Sequence, residues 1–208
     1  SGWYDHDLWT DEGRKLQGLL PMGYILYGEV VGFTDGGQAI QKHYTYDCRP
    51  NERKLFIYRV SVVNEQGIVS DLSWDGVKQF CAERGLQTVP ELARMTVQEF
   101  NERHQEFIDC KLKDTYSNAI PLALDAEVDE GVVFRTEGQI PAMYKLKSPI
   151  FLNYETKILD EGNVNIEDSG DSGGQGDSET SDLFLGVEIT PTYTTDFQAV
   201  FRQINYKE

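Results

Sequence analysis

Two short segments hold the residues best suited to handling phosphate. Met143-Tyr144-Lys145-Leu146-Lys147-Ser148 alternates in the strand period, so Lys145 and Lys147 point to one face and Tyr144 and Leu146 to the other. Two ammonium groups placed that close repel, and an anion lying over both relieves the repulsion; a phosphate has the right charge and size. Upstream, in Asp129-Glu130-Gly131-Val132-Val133-Phe134-Arg135, a carboxylate opens an apolar run and a glycine follows it. Gly131 permits close approach of backbone or ligand. A carboxylate near paired lysines and a phosphate suits a divalent metal. The bland reading of Lys-x-Lys is a solvated edge strand whose lysines deter aggregation.

Two further strands have chemistry to offer. Gly23-Tyr24-Ile25-Leu26-Tyr27-Gly28-Glu29-Val30-Val31-Gly32 places Glu29 inside an apolar run, which costs energy unless the carboxylate is paired or bound. Lys54-Leu55-Phe56-Ile57-Tyr58-Arg59-Val60-Ser61-Val62 puts Phe56, Tyr58 and Val60 on one face, where an aromatic ring could stack on a base. For either ring alone, core packing is the simpler role.

Taken in order, these segments resemble the covalent nucleotidyltransferases, specifically ATP-dependent RNA ligases of the phage type. That family runs from a nucleophilic lysine in Lys-x-x-Gly to a Gly-Glu strand, an aromatic strand, Glu-Gly-Val-Val and finally Lys-x-Lys. Here the last four are Gly28-Glu29, Phe56-Ile57-Tyr58, Glu130-Gly131-Val132-Val133 and Lys145-Leu146-Lys147. Lys145 to Leu152 also resembles the family's end-of-domain pattern, and Asp71 to Cys81 the connecting helix of some phage and bacterial members. The resemblance covers about residues 3 to 160. It implies ATP as AMP donor, Mg²⁺ as cofactor and RNA ends as partners. It also implies that Lys145 and Lys147 neutralise phosphate charge, that Glu130 helps hold the metal, and that Glu29 contacts ribose or metal. Tyr58, or failing it Phe56, would stack on adenine. Arg59 stands where some members carry an acid.

The nucleophilic lysine is the departure. It should precede the Gly-Glu strand by several tens of residues, and Glu29 leaves no room for it. Lys15-Leu16-Gln17-Gly18 fits Lys-x-x-Gly, but it lies in a helical pattern: Thr10 as cap, acids in the first turn, and Leu16, Leu19 and Leu20 as an apolar stripe. The expectation is the C-terminal part of a ligase catalytic domain, a fragment or one half of a split enzyme. An N-terminal fragment bearing the lysine would be its partner, and the chain alone should not adenylylate itself. The competing expectation is a catalytically inactive ligase-like module that binds nucleotide or a partner. DNA ligases and capping enzymes carry a following OB-fold, for which 208 residues leave little room. An acidic β-rich binding protein is the remaining alternative.

The net charge of −16 weighs against tight RNA binding, but its distribution is uneven. Between Ile158 and Phe201 there are ten acids and no Lys or Arg, leaving 25 acids against 19 bases elsewhere. RNA affinity is expected to be modest and salt-sensitive. Cys48, Cys81 and Cys110 form no Cys-x-x-Cys, and His6, His43 and His104 do not cluster, so neither a disulfide framework nor a zinc site is suggested. No apolar run suits a membrane span and no signal peptide is evident. The expected setting is the cytoplasm of a bacterial or phage-infected cell.

The elements that must position these residues form an α+β pattern with a largely antiparallel sheet, flanked by helices, of the nucleotidyltransferase (ATP-grasp-like ligase) type. Strands are expected at 23 to 33, 54 to 63, 130 to 136 and 142 to 147, sharing one sheet surface on which Glu29, Tyr58, Glu130, Lys145 and Lys147 converge. A hairpin should turn at Asn64-Glu65-Gln66-Gly67. Ser73 should cap a helix ending at Gly85, and Thr96-Val97-Gln98-Glu99 should open another by a capping box. Gln41 to Tyr46 reads as a possible functional loop tip. Three regions result: 1–159 as a partial nucleotidyltransferase domain, 160–182 as an acidic Gly/Ser-rich linker, and 183–208 as a β-rich extension. Removing 163–208 is expected to leave the core folded.

Overall fold

The computed structural model describes residues 8–41, 43–138, 141–153 and 198–202. The expected linker at 160–182, and residues 183–197 of the extension, lie outside them. The architecture is α+β with antiparallel sheets, as the strand and helix patterns imply. The described residues divide into two units, one holding 8–40 and 48–89, the other 41, 43–47, 90–138, 141–153 and 198–202.

The first unit is built on a sheet of order β1-β2-β3, where β1 is Tyr24–Gly32, β2 Arg53–Val63 and β3 Val69–Asp71. The β2–β3 hairpin turns at Asn64 as expected, with Asn64 Oδ1 accepting from the backbone N–H of Gln66 and Ile68. Ser73 caps α2 (Trp74–Ala82) through a bond from Gly76 N, 3.2 Å. This helix stops three residues short of Gly85, and β4 (Gln87–Thr88) returns parallel to β2. Val77, Phe80 and Cys81 are buried along α2, and the Phe80 ring stacks on Tyr24 of β1 at 5.0 Å. Burial pushes the Cys81 thiol up to about 11, against a smaller downward pull from Arg84.

The first helix, α1, spans Leu8–Lys15 and so begins before Thr10. Leu16, Leu19 and Leu20 fall beyond its end and form no helical stripe. Gly18, with φ of +80°, falls inside this stretch and favours turns over continued helix; Leu16, Gln17 and Leu19 bond back three residues. Glu12 is the anchor of α1. Its carboxylate lies 2.5 Å from both Arg53 Nε and Lys15 Nζ, while Arg53 also meets Asp35 at 2.6 Å. Burial pushes the Glu12 carboxyl up, but the bonds from Arg53 and Lys15 outweigh it and hold the group below the usual carboxylate range.

The second unit has a sheet of order β5-β8-β6-β7, with β5 Glu91–Met95, β6 Gly131–Thr136, β7 Ala142–Lys147 and β8 Gln198–Arg202. Thr96 and Glu99 close the expected capping box on α3 (Val97–Arg103), which tightens into a 3-10 turn at His104–Phe107. A short α4 follows at Leu112–Thr115. Phe100, Phe107, Ile108 and Leu112 pack on Val132, Phe134 and Leu146 of the sheet. Phe100 and Phe134 approach to 4.5 Å, and Phe134 stacks on Tyr144 at 4.9 Å.

The expectation of one shared sheet fails. Glu29, Phe56 and Tyr58 belong to the first sheet, and Lys145 and Lys147 to the second, with Glu130 at the mouth of β6. The period of 2 assigns a side chain to a face of its own strand but does not say which sheet that strand joins. β2 fills one edge with β1 and the other with β3 and β4, while β6 is flanked by β7 and β8.

Candidate phosphate and nucleotide sites

In the second unit, β6 and β7 pair antiparallel with Gly131 opposite Lys147, Val133 opposite Lys145 and Arg135 opposite Met143. Residues paired across a ladder share a face, so Lys145, Lys147 and Arg135 stand on one side and Val132, Phe134 and Leu146 form the core on the other. The Glu130 carboxylate is 1% exposed and its Oε1 lies 3.7 Å from Lys147 Nζ, whose side chain is 34% exposed. A buried carboxylate is costly without a compensating charge, and Lys147 supplies one. The structure thus brings Glu130 and Lys147 together, with Lys145 on the same face of β7 as Lys147.

Backbone geometry makes this juncture possible. Gly131 has φ of +141° and lies so near β7 that a Cβ would overlap the Leu146 carbonyl and sit 2.9 Å from Lys147 Cα. Ser148 N then donates to the Glu130 carbonyl at 2.8 Å, extending the ladder by one bond. Ser148 Oγ accepts from Phe151 N at 3.3 Å, so Ser148 and Pro149 start the short helix 149–153 as cap and first residue. Phe151 is buried, and Lys147 Nζ lies 5.9 Å from its ring centroid.

Three further participants join the site beyond those the sequence pattern singles out. Asp129 is buried and accepts from the backbone N–H of Leu112 at 2.8 Å and Leu122 at 3.1 Å, fixing the chain immediately before Glu130. Arg135 is buried with its Nε 2.8 Å from Glu137 Oε1. Ser148 was legible as a Ser-Pro helix start, whereas the place of Arg135 on the face of Lys145 and Lys147 follows only from the register of β6 on β7. Nothing in the sequence distinguishes Asp129 from a surface acid.

In the first unit, Glu29 lies opposite Phe56 and Gly28 opposite Ile57, but Tyr27 lies opposite Arg59. Tyr58 is therefore the extra residue of a β-bulge. Gly28 permits it, since a Cβ there would come within 2.9 Å of the Phe56 carbonyl oxygen. The bulge breaks the expected alternation by setting Tyr58 and Arg59 in succession against Tyr27; Phe56 is buried and Tyr58 half-buried. Arg59 donates from Nε to Asp71 Oδ1 at 2.9 Å, so the acid it displaces in the expected pattern returns from β3. The loop tip is largely buried, with His43 its exposed residue among those described. Gln41, Tyr44 and Tyr46 are buried in the second unit, where Tyr46 Oη donates to Gln41 Oε1 at 2.8 Å and the Thr45 and Tyr46 N–H groups bond the Leu122 carbonyl. Lys42 lies outside the described residues.

Among the described residues no group of three or more His, Cys, Asp or Glu could hold a metal ion. Mg²⁺ asks less of a protein, one or two carboxylates with water and substrate phosphates completing the shell, and Glu130 is one such carboxylate, with Lys147 as its ion-pair partner. Lys15 sits on α1 bound to Glu12, as a helical surface lysine does.

These features define an α+β protein with a buried Glu130 paired to Lys147 beside one sheet and a bulged aromatic strand in another. A family model described as RNA ligase matches residues 3–148, from before α1 through β7 and Ser148. The chain belongs to the RNA ligase family. No curated protein and no solved structure gave a match. No helix among the described residues is long and apolar enough to cross a membrane.

Proposed function

We propose that the chain takes part in ATP-dependent sealing of RNA strands, with Lys145, Lys147 and Glu130 handling the reacting phosphate. The observation that carries this is the Glu130–Lys147 pair, held across the Gly131 juncture inside the matched region. In such sealing, a lysine nitrogen attacks the α-phosphorus of ATP and pyrophosphate leaves. An RNA 5′-phosphate oxygen then takes the AMP and frees the lysine. A 3′-hydroxyl oxygen finally attacks the 5′-phosphorus, the phosphoanhydride breaks and AMP departs. Each step builds negative charge on phosphate oxygens, which Lys145 and Lys147 would neutralise from one face of β7. Glu130 would hold Mg²⁺, which supplies further charge neutralisation when bound. Tyr58 is the more accessible of the two aromatic candidates for adenine, Phe56 being buried, and Glu29, opposite Phe56 on the neighbouring strand, would serve the ribose.

The lysine that receives AMP is not Lys15 in this reading, because Lys15 is engaged by Glu12 on a helix. The chain alone should give no covalent AMP adduct with labelled ATP and Mg²⁺ on a denaturing gel. Adding a separate segment with the Lys-x-x-Gly strand should restore one. A band from the lone chain that disappears in Lys15→Ala would overturn this. The same engagement of Lys15 favours a second reading, an inactive module that binds nucleotide. It predicts Mg²⁺-ATP binding without sealing of any RNA.

A further inference from the structure

The bulge at Tyr58 has a second consequence. In such a bulge the two consecutive residues and the residue opposite them turn toward one side of the sheet. Tyr27, Tyr58 and Arg59 accordingly gather there: the Arg59 guanidinium carbon lies 4.7 Å from the Tyr27 ring centroid, and the Tyr27 and Tyr58 rings are 6.5 Å apart. The guanidinium is not a loose surface charge. Its Nε is fixed by Asp71, which also accepts from Ser61 Oγ at 2.5 Å, and Ser61 is fully buried. Two features of this cluster point to its ligand. The Arg59 side chain is 30% exposed and its carboxylate partner 12%, so the cation is the more open member of the pair. Because Asp71 already balances the charge, the platform offers a flat polarisable face rather than net attraction for phosphate. A chain of net charge −16 gains little from phosphate attraction at large, and base stacking would add to its modest, salt-sensitive affinity a part that salt does not screen.

We propose that Tyr27 and Arg59 form a stacking platform for a nucleobase of single-stranded RNA, next to but separate from the adenine position assigned to Tyr58. This rests on the sealing reading, since it places the RNA being joined. The base stacks on the outer face of the guanidinium, Tyr27 backs it, and Asp71 with Ser61 keeps the plane in place.

The test is equilibrium binding of a short single-stranded oligoribonucleotide and of an abasic oligomer of the same length, at low and high salt, to the full chain. Wild type should prefer the intact oligomer. Tyr27→Leu and Arg59→Ala should weaken it roughly fivefold to a hundredfold. Binding of the abasic oligomer and the salt dependence should stay unchanged in Tyr27→Leu and in Arg59→Lys, which leave the net charge as it is. Arg59→Lys keeps the charge but not the plane, and should behave like Arg59→Ala; Tyr27→Phe should bind as wild type does. Equal binding of intact and abasic oligomers by wild type would overturn the platform, as would full binding by Arg59→Lys. If Tyr27→Leu fails to fold, as judged by thermal melting, Arg59→Lys and Tyr27→Phe still decide the matter. Joining of a 5′-adenylylated RNA, read in the same samples, separates the two ideas. Sealing without base preference overturns the platform alone, and base preference without sealing overturns the sealing reading alone.

Discussion

Gly131 faces Lys147 across the β6–β7 ladder so closely that there is no room for a side chain between the strands. Gly131→Ala must both enter a backbone region that L residues avoid and push back the Leu146 carbonyl. We expect a loss of about 3 kcal/mol of stability, at the upper end of strained-backbone costs. Urea denaturation measures it. An unchanged midpoint would mean that the strands separate readily and that the Glu130–Lys147 distance is not fixed by the backbone.

Glu12→Gln should destabilise the first unit by about 2 kcal/mol at neutral pH, because Arg53 would lose its buried counter-charge and be left with the exposed carboxylate of Asp35. The effect depends on pH with a definite sign. The folded Glu12 carboxyl lies below its ordinary value of 4.5, so its contribution is fully present above that value. It is lost as the pH falls through the lower folded value. The difference between wild type and Glu12→Gln should therefore be largest at neutral pH and shrink in acid. A constant difference across this range, in thermal melts, would contradict the assignment.

Deleting residues 163–208 should lower the melting temperature and promote aggregation, contrary to what the sequence implied. β8 pairs with β5 on one side and β6 on the other, so its loss opens two strand edges. An unchanged melting temperature in the truncated chain would show that β5 and β6 close on each other without it.

Local features were legible and assembly was not. The capping box at Thr96, the Ser73 cap, the Asn64 hairpin and the parity of Lys145 with Lys147 all follow from side chains acting on their near neighbours. The bulge at Tyr58 was hidden because it depends on which residue of β2 meets Gly28, and that is a property of the pair of strands. The division into two sheets, and the central place of β8, depend on pairings between distant parts of the chain. Buried positioning groups such as Asp129 are recognisable only once their backbone partners at Leu112 and Leu122 are in place.

Joining of a 5′-adenylylated RNA strand to a 3′-hydroxyl end, with Mg²⁺ and without ATP, tests the central claim most directly, because it removes the need for the nucleophilic lysine. The full chain should join the strands and release AMP, and Lys147→Ala and Glu130→Gln should each slow this about a hundredfold, the scale of losing one charge-stabilising group. Wild-type protein that produces no joined RNA above the protein-free background would contradict the claim.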